Sequence, residues 1–375
     1  MKRALGFSLV ELMVAIAIGL VILAGVITVF VAQRQVYGTA TAQASIQNAE
    51  NAIAAMVAPA VRGAGFAGCG AFSTTGSIID SGSLAYNFSA PLFGYGANTP
   101  MTALNAANVS NTGDWTPALD SSLAGLSEAG SDMIVVGGEL PGTIPVPVTN
   151  IVGNSGQLSI LSQPFPPPST ATVQPGMIGA VSDCSKSIAF TIYSQAANST
   201  NIIIHHDQGT GIGSNKQADF APNFPLGSQF VLLQQEAFYV GQGPGGQSAL
   251  YGAAMMCGQW QSLSVLTTGC SKGNGPNNGG TPPQPLVPGV DNMQILYGIG
   301  PGGVTQQWVP ASLVSNWAQV NAVRMGFLIE GPLGSATPGA NLTQWTVLNT
   351  KVTVPPDTRL RHVYVMTLSI RNATL

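Results

Sequence analysis

Leu5–Arg34 reads LGFSLVELMVAIAIGLVILAGVITVFVAQR. From Phe7 to Ala32 there are 26 residues and one charge, Glu11. About 20 apolar residues at 1.5 Å each cover the ~30 Å hydrocarbon core of a bilayer, so this run can cross one as a helix. A carboxylate inside such a helix costs about 2.5–3.5 kcal/mol even on lenient insertion scales, and therefore calls for a partner. The i,i+4 spacing sets Glu11 on the same face as Phe7, one turn away. Lys2 and Arg3 precede the run and only Arg34 follows closely, which favours a cytoplasmic amino terminus.

A secretory signal peptide has a shorter apolar core and a small-residue site after it. Here the small residue, Gly6, lies before a longer run, and a plain anchor has no use for Glu11. No proline occurs between Phe7 and Ala58, and Ile46, Ala49, Ile53, Met56 and Ala60 follow a 3–4 spacing. One helix is therefore expected over residues 7–62, with 7–32 in the membrane and an amphipathic half beyond it. Pro59 and Gly63-Ala64-Gly65 mark its end. Its length of roughly 75–80 Å leaves half of it to be covered by lipid or by other such helices. Gly19, Gly25 and Gly38 are positions where helices could approach closely or soften.

Gly6-Phe7 followed by Ser8-Leu9-Val10-Glu11-Leu12, after the basic leader Met1-Lys2-Arg3, resembles the prepilin cleavage and methylation signature of type IV pilins and type II secretion pseudopilins. The resemblance implies a leader of residues 1–6, cleavage after Gly6 by a membrane peptidase, and N-methylation of Phe7. It also implies that the Glu11 carboxylate pairs with an amino terminus, within one subunit or between neighbours. Asp291-Asn292-Met293-Gln294-Ile295-Leu296-Tyr297-Gly298, Arg359-Leu360-Arg361-His362-Val363-Tyr364 and Arg371-Asn372 resemble the C-terminal part of PilW-type minor pilins. The middle, from about Gly70 to Gly289, resembles no family that we can name.

What the family implies is a non-enzymatic minor pilin that primes type IV pilus assembly or sits at the pilus tip. Such a subunit supports pilus biogenesis, twitching motility and adhesion. Its expected partners are other minor pilins, the major pilin, the prepilin peptidase, the inner-membrane assembly platform and, before assembly, membrane lipid. The expected location is the inner membrane with a periplasmic head, then the surface pilus. A tip adhesin and a type II minor pseudopilin are the alternatives; the chain length and the PilW-like segments argue against the second.

The remainder of the 375 residues is ample for one large or two small domains. Charged residues make up 7%, against a usual ~25%. With 46 glycines and 26 prolines but 45% apolar residues, it reads as a folded, loop-rich, extracytoplasmic β head. The fold class is thus α+β: the long helix, a variable head over 63–289, and an antiparallel pilin sheet over 290–375. Strands are expected at Asp132–Gly137, Leu158–Leu161, Ile188–Tyr193, Ile202–His205, Gln229–Leu233 and Ala237–Val240. Asn154-Ser155-Gly156 could turn a hairpin between Val148–Val152 and Leu158–Leu161. The pilin sheet is expected from Met293–Tyr297, Val323–Ile329 and Val363–Ile370, with Tyr364, Met366, Leu368 and Ile370 sharing one face. Ser271–Gly289 and Pro164–Pro168 read as loops or linkers.

Cys69, Cys184, Cys257 and Cys270 lie on the oxidising side, and an even count suggests disulfides with three connectivities open. Closeness favours Cys257–Cys270, leaving Cys69–Cys184 to tie the helix exit to the middle sheet. Four zinc ligands would want a close C-x-x-C pair, which is missing. His205-His206-Asp207 has metal-ligand character, but adjacent strand residues point to opposite faces, so no metal or cofactor is expected. No Gly-x-Ser-x-Gly, His-Glu-x-x-His or phosphate-loop motif is present; Gly243-Pro244-Gly245-Gly246 and Gly300-Pro301-Gly302-Gly303 are turn chemistry. Between Arg62 and Arg324 the basic residues are Lys186, Lys216 and Lys272, too sparse a track for nucleic acid. Arg359, Arg361 and Arg371 near the end suggest pairing with carboxylates or with a neighbouring subunit.

Overall fold

The computed structural model describes residues 8–71, 75–98, 107–152, 156–161, 173–197, 201–220, 223–256, 258–263, 281–336 and 342–372. A single helix runs from Leu9 to Gly63, about 80 Å at 1.5 Å per residue. Among the described residues, the apolar side chains of its first half, from Leu9 to Val36, face outward. The second half buries a stripe of Ala42, Ile46, Ile53, Val57 and Val61 against the head. Met56 was expected in that stripe but is 43% exposed. A 3.6-residue period drifts, and after Ile53 the buried face passes to Val57. Pro59 does not end the helix, which continues for one more turn. Proline costs one backbone bond there, while buried Val61 and the Arg371 N–H donated to Arg62 O hold the last turn. The true exit is Gly65, at φ +80°, whose N–H donates to Gly137 O at 2.8 Å. An added Cβ at Gly65 would meet the Pro91 side chain at 2.9 Å, so glycine suits both the turn and the close approach.

Under the stripe lies a four-stranded antiparallel sheet in the order Gln307–Val309, Val290–Ile299, Val320–Glu330, Arg361–Ser369. On the last strand Met366, Leu368 and the following Ile370 are buried while Val365, Thr367 and Ser369 are exposed, the alternation that the sequence predicts. Tyr364 packs at the edge of the same core. The opposite face is covered by the hairpin Gln344–Val347/Thr350–Thr353, which buries Val347 and Val352 against Leu328.

The rest of the head is built around one strand, Gln229–Gln242. It pairs antiparallel with Met133–Glu139, Val146–Val152, Ile178–Ser182 and Ser248–Met256. Two strands were expected here; the polar run Gln234-Gln235-Glu236 interrupts the apolar pattern but not the backbone ladder. Val146–Val152 and Gln157–Leu161 form the expected hairpin, its residues 153–155 lying outside the described residues. Gln284–Pro288, read from sequence as part of a loop, is a strand paired with Ser248–Met256. That is its one ladder among the described residues, and such an edge tolerates Pro285 and Pro288. Residues 162–172 and 264–280, which include the other expected linker segments, lie outside the described residues. A single core joins the helix to both sheets, with Leu92, Val136, Phe238 and Leu250 meeting Met293, Tyr297 and Phe327. The long helix followed by a β-rich antiparallel head is the α+β class expected.

Several carboxylates are buried, as Asp132 and Glu128 are, or half-buried, as Glu139 and Glu236 are. Burial pushes Asp132 up to about 7 although it accepts from the N–H groups of Ala97 and Ile295. Burial likewise raises Glu128, which accepts from the Ser248 hydroxyl, and Glu139 and Glu236, each to about 7. A group raised above its unfolded pKa stabilises fully below the unfolded value and loses that contribution as pH rises through the folded one. Buried His206, lowered to about 4, works the other way between pH 4 and 6.5 and offsets one of the four. Asp120 and Asp357, held low by hydrogen bonds against burial, and Asp183 likewise, change below this window. The head is therefore expected to lose stability between pH 5 and pH 8. A melting temperature that is flat or rising across that range would show that these carboxyls reach water.

Candidate assembly interface

The N-terminal turn is closed by a capping box. The Ser8 N–H donates to Glu11 Oε2 at 3.0 Å, and the Glu11 N–H donates to Ser8 Oγ at 3.2 Å. The signal was present in the sequence as Ser-x-x-Glu before an apolar run, but the i,i+4 relation to Phe7 overshadowed it. Gly6 and Phe7 lie outside the described residues, as do Cys257 and Cys270. At the amino terminus, the Glu11 carboxylate faces the free amides of the helix start, where positive partial charge collects.

Up to Ala32 the helix offers an apolar cylinder, with Leu9 75%, Val21 74% and Phe30 59% exposed. A surface of that kind is stable only in hydrocarbon or against similar helices. The seam to the head starts beyond this cylinder, with Thr39 Oγ1 3.3 Å from Ser335 O. Midway, Glu50 Oε1 lies 2.7 Å from His362 Nδ1. At the far end a groove of about 870 Å³ opens between the last helical turns and the sheet, lined by Met56, Pro59, Phe66, Leu140, Glu236 and Arg371 among others. Among the described residues its lining includes the carboxylates Glu139 and Glu236 and no histidine, cysteine or serine.

Cys69 and Cys184 are joined by a disulfide across 115 residues, as the sequence reading paired them, tying the helix exit to the strand Ile178–Ser182 and its turn. His205 ends the strand Asn201–His205, while His206 is buried and stacks on Phe220 at 4.0 Å. The two diverge, and no group of three metal-ligating side chains occurs among the described residues.

The C-terminal basic residues resolve into an internal network. Arg361 Nε donates to Asp291 Oδ2 at 2.8 Å, and Nη2 to Glu330 Oε2 at 3.2 Å. Asp357 receives both Nη1 and Nη2 at 2.7 Å, and Arg359 Nη1 reaches Glu330 Oε1 at 3.2 Å. Burial and the Glu330 charge push Asp291 up to about 8, against the pull of Arg361. Three carboxyls thus face two guanidinium groups. The segments beginning at Asp291 and at Arg359 are joined through this network, which fixes the register of the sheet edge.

Comparison with known proteins agrees with the geometry at both ends of the chain. Residues 237–372 match the family model of type IV pilus-assembly protein W (PilW), and residues 1–27 match the prokaryotic N-terminal methylation motif. No curated protein matches the sequence. Among solved structures the type IV-like pilin TTHA1219 from Thermus thermophilus matches at 15% identity and a TM-score of 0.24, over 55% of this chain and 88% of that one. The two family matches cover the apolar helix start and the sheet that carries the Asp291–Arg361 network. Residues 237–372 are thus PilW-like and residues 1–27 carry a prepilin-type methylation motif, the two marks of a type IV pilin, and pilins of this kind are structural subunits.

Proposed function

We propose that this minor pilin enters the pilus through its N-terminal helix, primes assembly together with other minor pilins, and remains at the tip. The observation that carries the proposal is the helix itself: its apolar half has no cover among the described residues, while its other half is committed to the head. A subunit so divided needs lipid first and neighbouring helices afterwards. Cleavage after Gly6, N-methylation of Phe7 and pairing of Glu11 with an amino terminus belong to this reading. The capping box supports it, because Glu11 already serves amide groups at the helix start and a new ammonium there would compete for the same oxygens. Residues 63–289 act as the variable part of the head and 290–375 as the pilin sheet. A head of this bulk suits a terminal position better than a shaft, where it would have to repeat.

The prepilin peptidase, the inner-membrane platform and the major pilin are the partners that this role requires. The role places the head in the periplasm before assembly and on the cell surface after it. The test is a deletion strain complemented with the wild type or with Glu11→Ala, with surface pili counted in the presence and absence of the retraction motor. Deletion is expected to abolish pili when the motor works and to restore them in part when it does not. Glu11→Ala is expected to be cut after Gly6 yet missing from sheared pili. Abundant pili in both backgrounds with adhesion lost would replace priming by a tip-adhesin role. Normal incorporation of Glu11→Ala would remove the pairing role.

A further inference from the structure

We propose that the turn Pro332-Leu333-Gly334 lies in the lipid headgroup layer while the protein is anchored, so that the head rests on the bilayer before assembly. This builds on the membrane-anchored reading above. Among the described residues, Gly38 and Thr39 of the helix meet the head at this turn. Gly334 O stands 3.6 Å from the position of a Gly38 Cβ, and a Cβ at Gly331 would meet Ala42 at 3.0 Å. Gly38 is six residues past Ala32, the end of the apolar run, which is about 9 Å along the axis. The headgroup region adds about 5–7 Å on each side of a ~30 Å core. Phe7–Ala32 would span about 39 Å, so the excess must tilt or protrude. Tilting towards the head presses this turn into the interface.

The chemistry of the surface fits a lipid partner. Leu333 is 69% exposed, with Val36 70% and Tyr37 76% exposed on the adjoining helix. Tyrosine and long basic side chains favour the headgroup level, and Arg34 is the one charge between Gln33 and Ala49. The turn Gly331–Ala336 carries none. Nor is Leu333 presented on a loose loop. Gly331 N–H donates to Leu360 O at 2.7 Å, Gly334 N–H to Thr358 Oγ1 at 3.0 Å, and Leu360 N–H to Ser335 Oγ at 2.9 Å. Single exposed leucines are ordinary on protein surfaces. Leu226, 71% exposed, is one of these: it precedes Gln229, which lies against Gly68 beyond the far end of the helix. What distinguishes Leu333 is its distance from the span.

The test uses the full chain in phosphatidylethanolamine/phosphatidylglycerol vesicles with and without brominated acyl chains. Leu333→Trp, Phe30→Trp and Leu226→Trp are each compared with the wild type, whose five tryptophans set the background. The emission added by Phe30→Trp is expected to be quenched strongly. That of Leu333→Trp should be quenched about half as much, consistent with a side chain at the headgroup–acyl boundary, and that of Leu226→Trp should be unchanged. Leu333→Trp behaving like Leu226→Trp while Phe30→Trp is quenched would overturn the resting head and leave the anchor intact. An unquenched Phe30→Trp would overturn the anchor and this proposal with it.

Discussion

Arg361→Met is expected to lower the unfolding free energy of the full chain in detergent by about 3–5 kcal/mol, the usual cost of breaking a buried ion pair from one side. The Arg361 side chain is 1% exposed, and its partners Asp291 and Glu330 are 0% and 3% exposed. Removing the guanidinium leaves their carboxyls in the interior with Arg359, which reaches Glu330 alone of the two. Replacing the whole network by apolar residues would cost far less, because the penalty comes from the groups left behind. Arg361→Lys keeps the charge but not the fork that serves three carboxyls, and should recover part of the loss. Arg324→Met is the comparison: Arg324 stacks 4.2 Å over Trp308 at the surface, a contact of about 0.5–1 kcal/mol. Urea unfolding followed by circular dichroism separates the two. Equal losses would mean that the network does not hold the sheet edge.

The second large effect is expected from Cys69→Ser with Cys184→Ser. The disulfide closes a segment of 115 residues. Loops of that size gain about 2–5 kcal/mol from cross-linking when the native geometry is unstrained, mainly because the unfolded chain is constrained. The bridge also stands where the helix leaves the head, so its loss should free the strands Phe66–Ala67 and Gly70–Ala71 before the core opens. Hydrogen exchange in that segment should rise even under conditions where the whole head stays folded. A double variant within 1 kcal/mol of the wild type and with unchanged exchange would assign the bridge no structural role.

The helix could be read from sequence because 26 residues with one charge admit few other structures. The pilin sheet could be read because its last strand alternates cleanly from Tyr364 to Ile370. Other parts failed for identifiable reasons. Ser248–Met256, SALYGAAMM, is buried along its whole length, and a run of small residues without alternation gives no period to detect. Gln229–Gln242 was divided because Gln234, Gln235 and Glu236 look like a turn until their ladder partners are known. At the candidate interface, Glu11 was found by its cost in hydrocarbon. Its capping contact with Ser8 follows from local helix-end chemistry. The Asp291–Arg361 contact spans 70 residues, and no local pattern specifies such a pairing.

The stripe from Ala42 to Val61 also has a mechanical consequence. It runs about 29 Å along the helix axis, and the covalent connection to the head, at Gly63–Gly65, lies at its far end. A pull on the head away from the cell would load that whole seam in shear, so Ile46, Ile53, Val57 and the Glu50–His362 contact share the force together rather than peeling in turn. If the seam slipped, the backbone at Gly65 would still carry the tension. In the tip position proposed above, the subunit would thereby be fastened twice, once by packing and once by the chain.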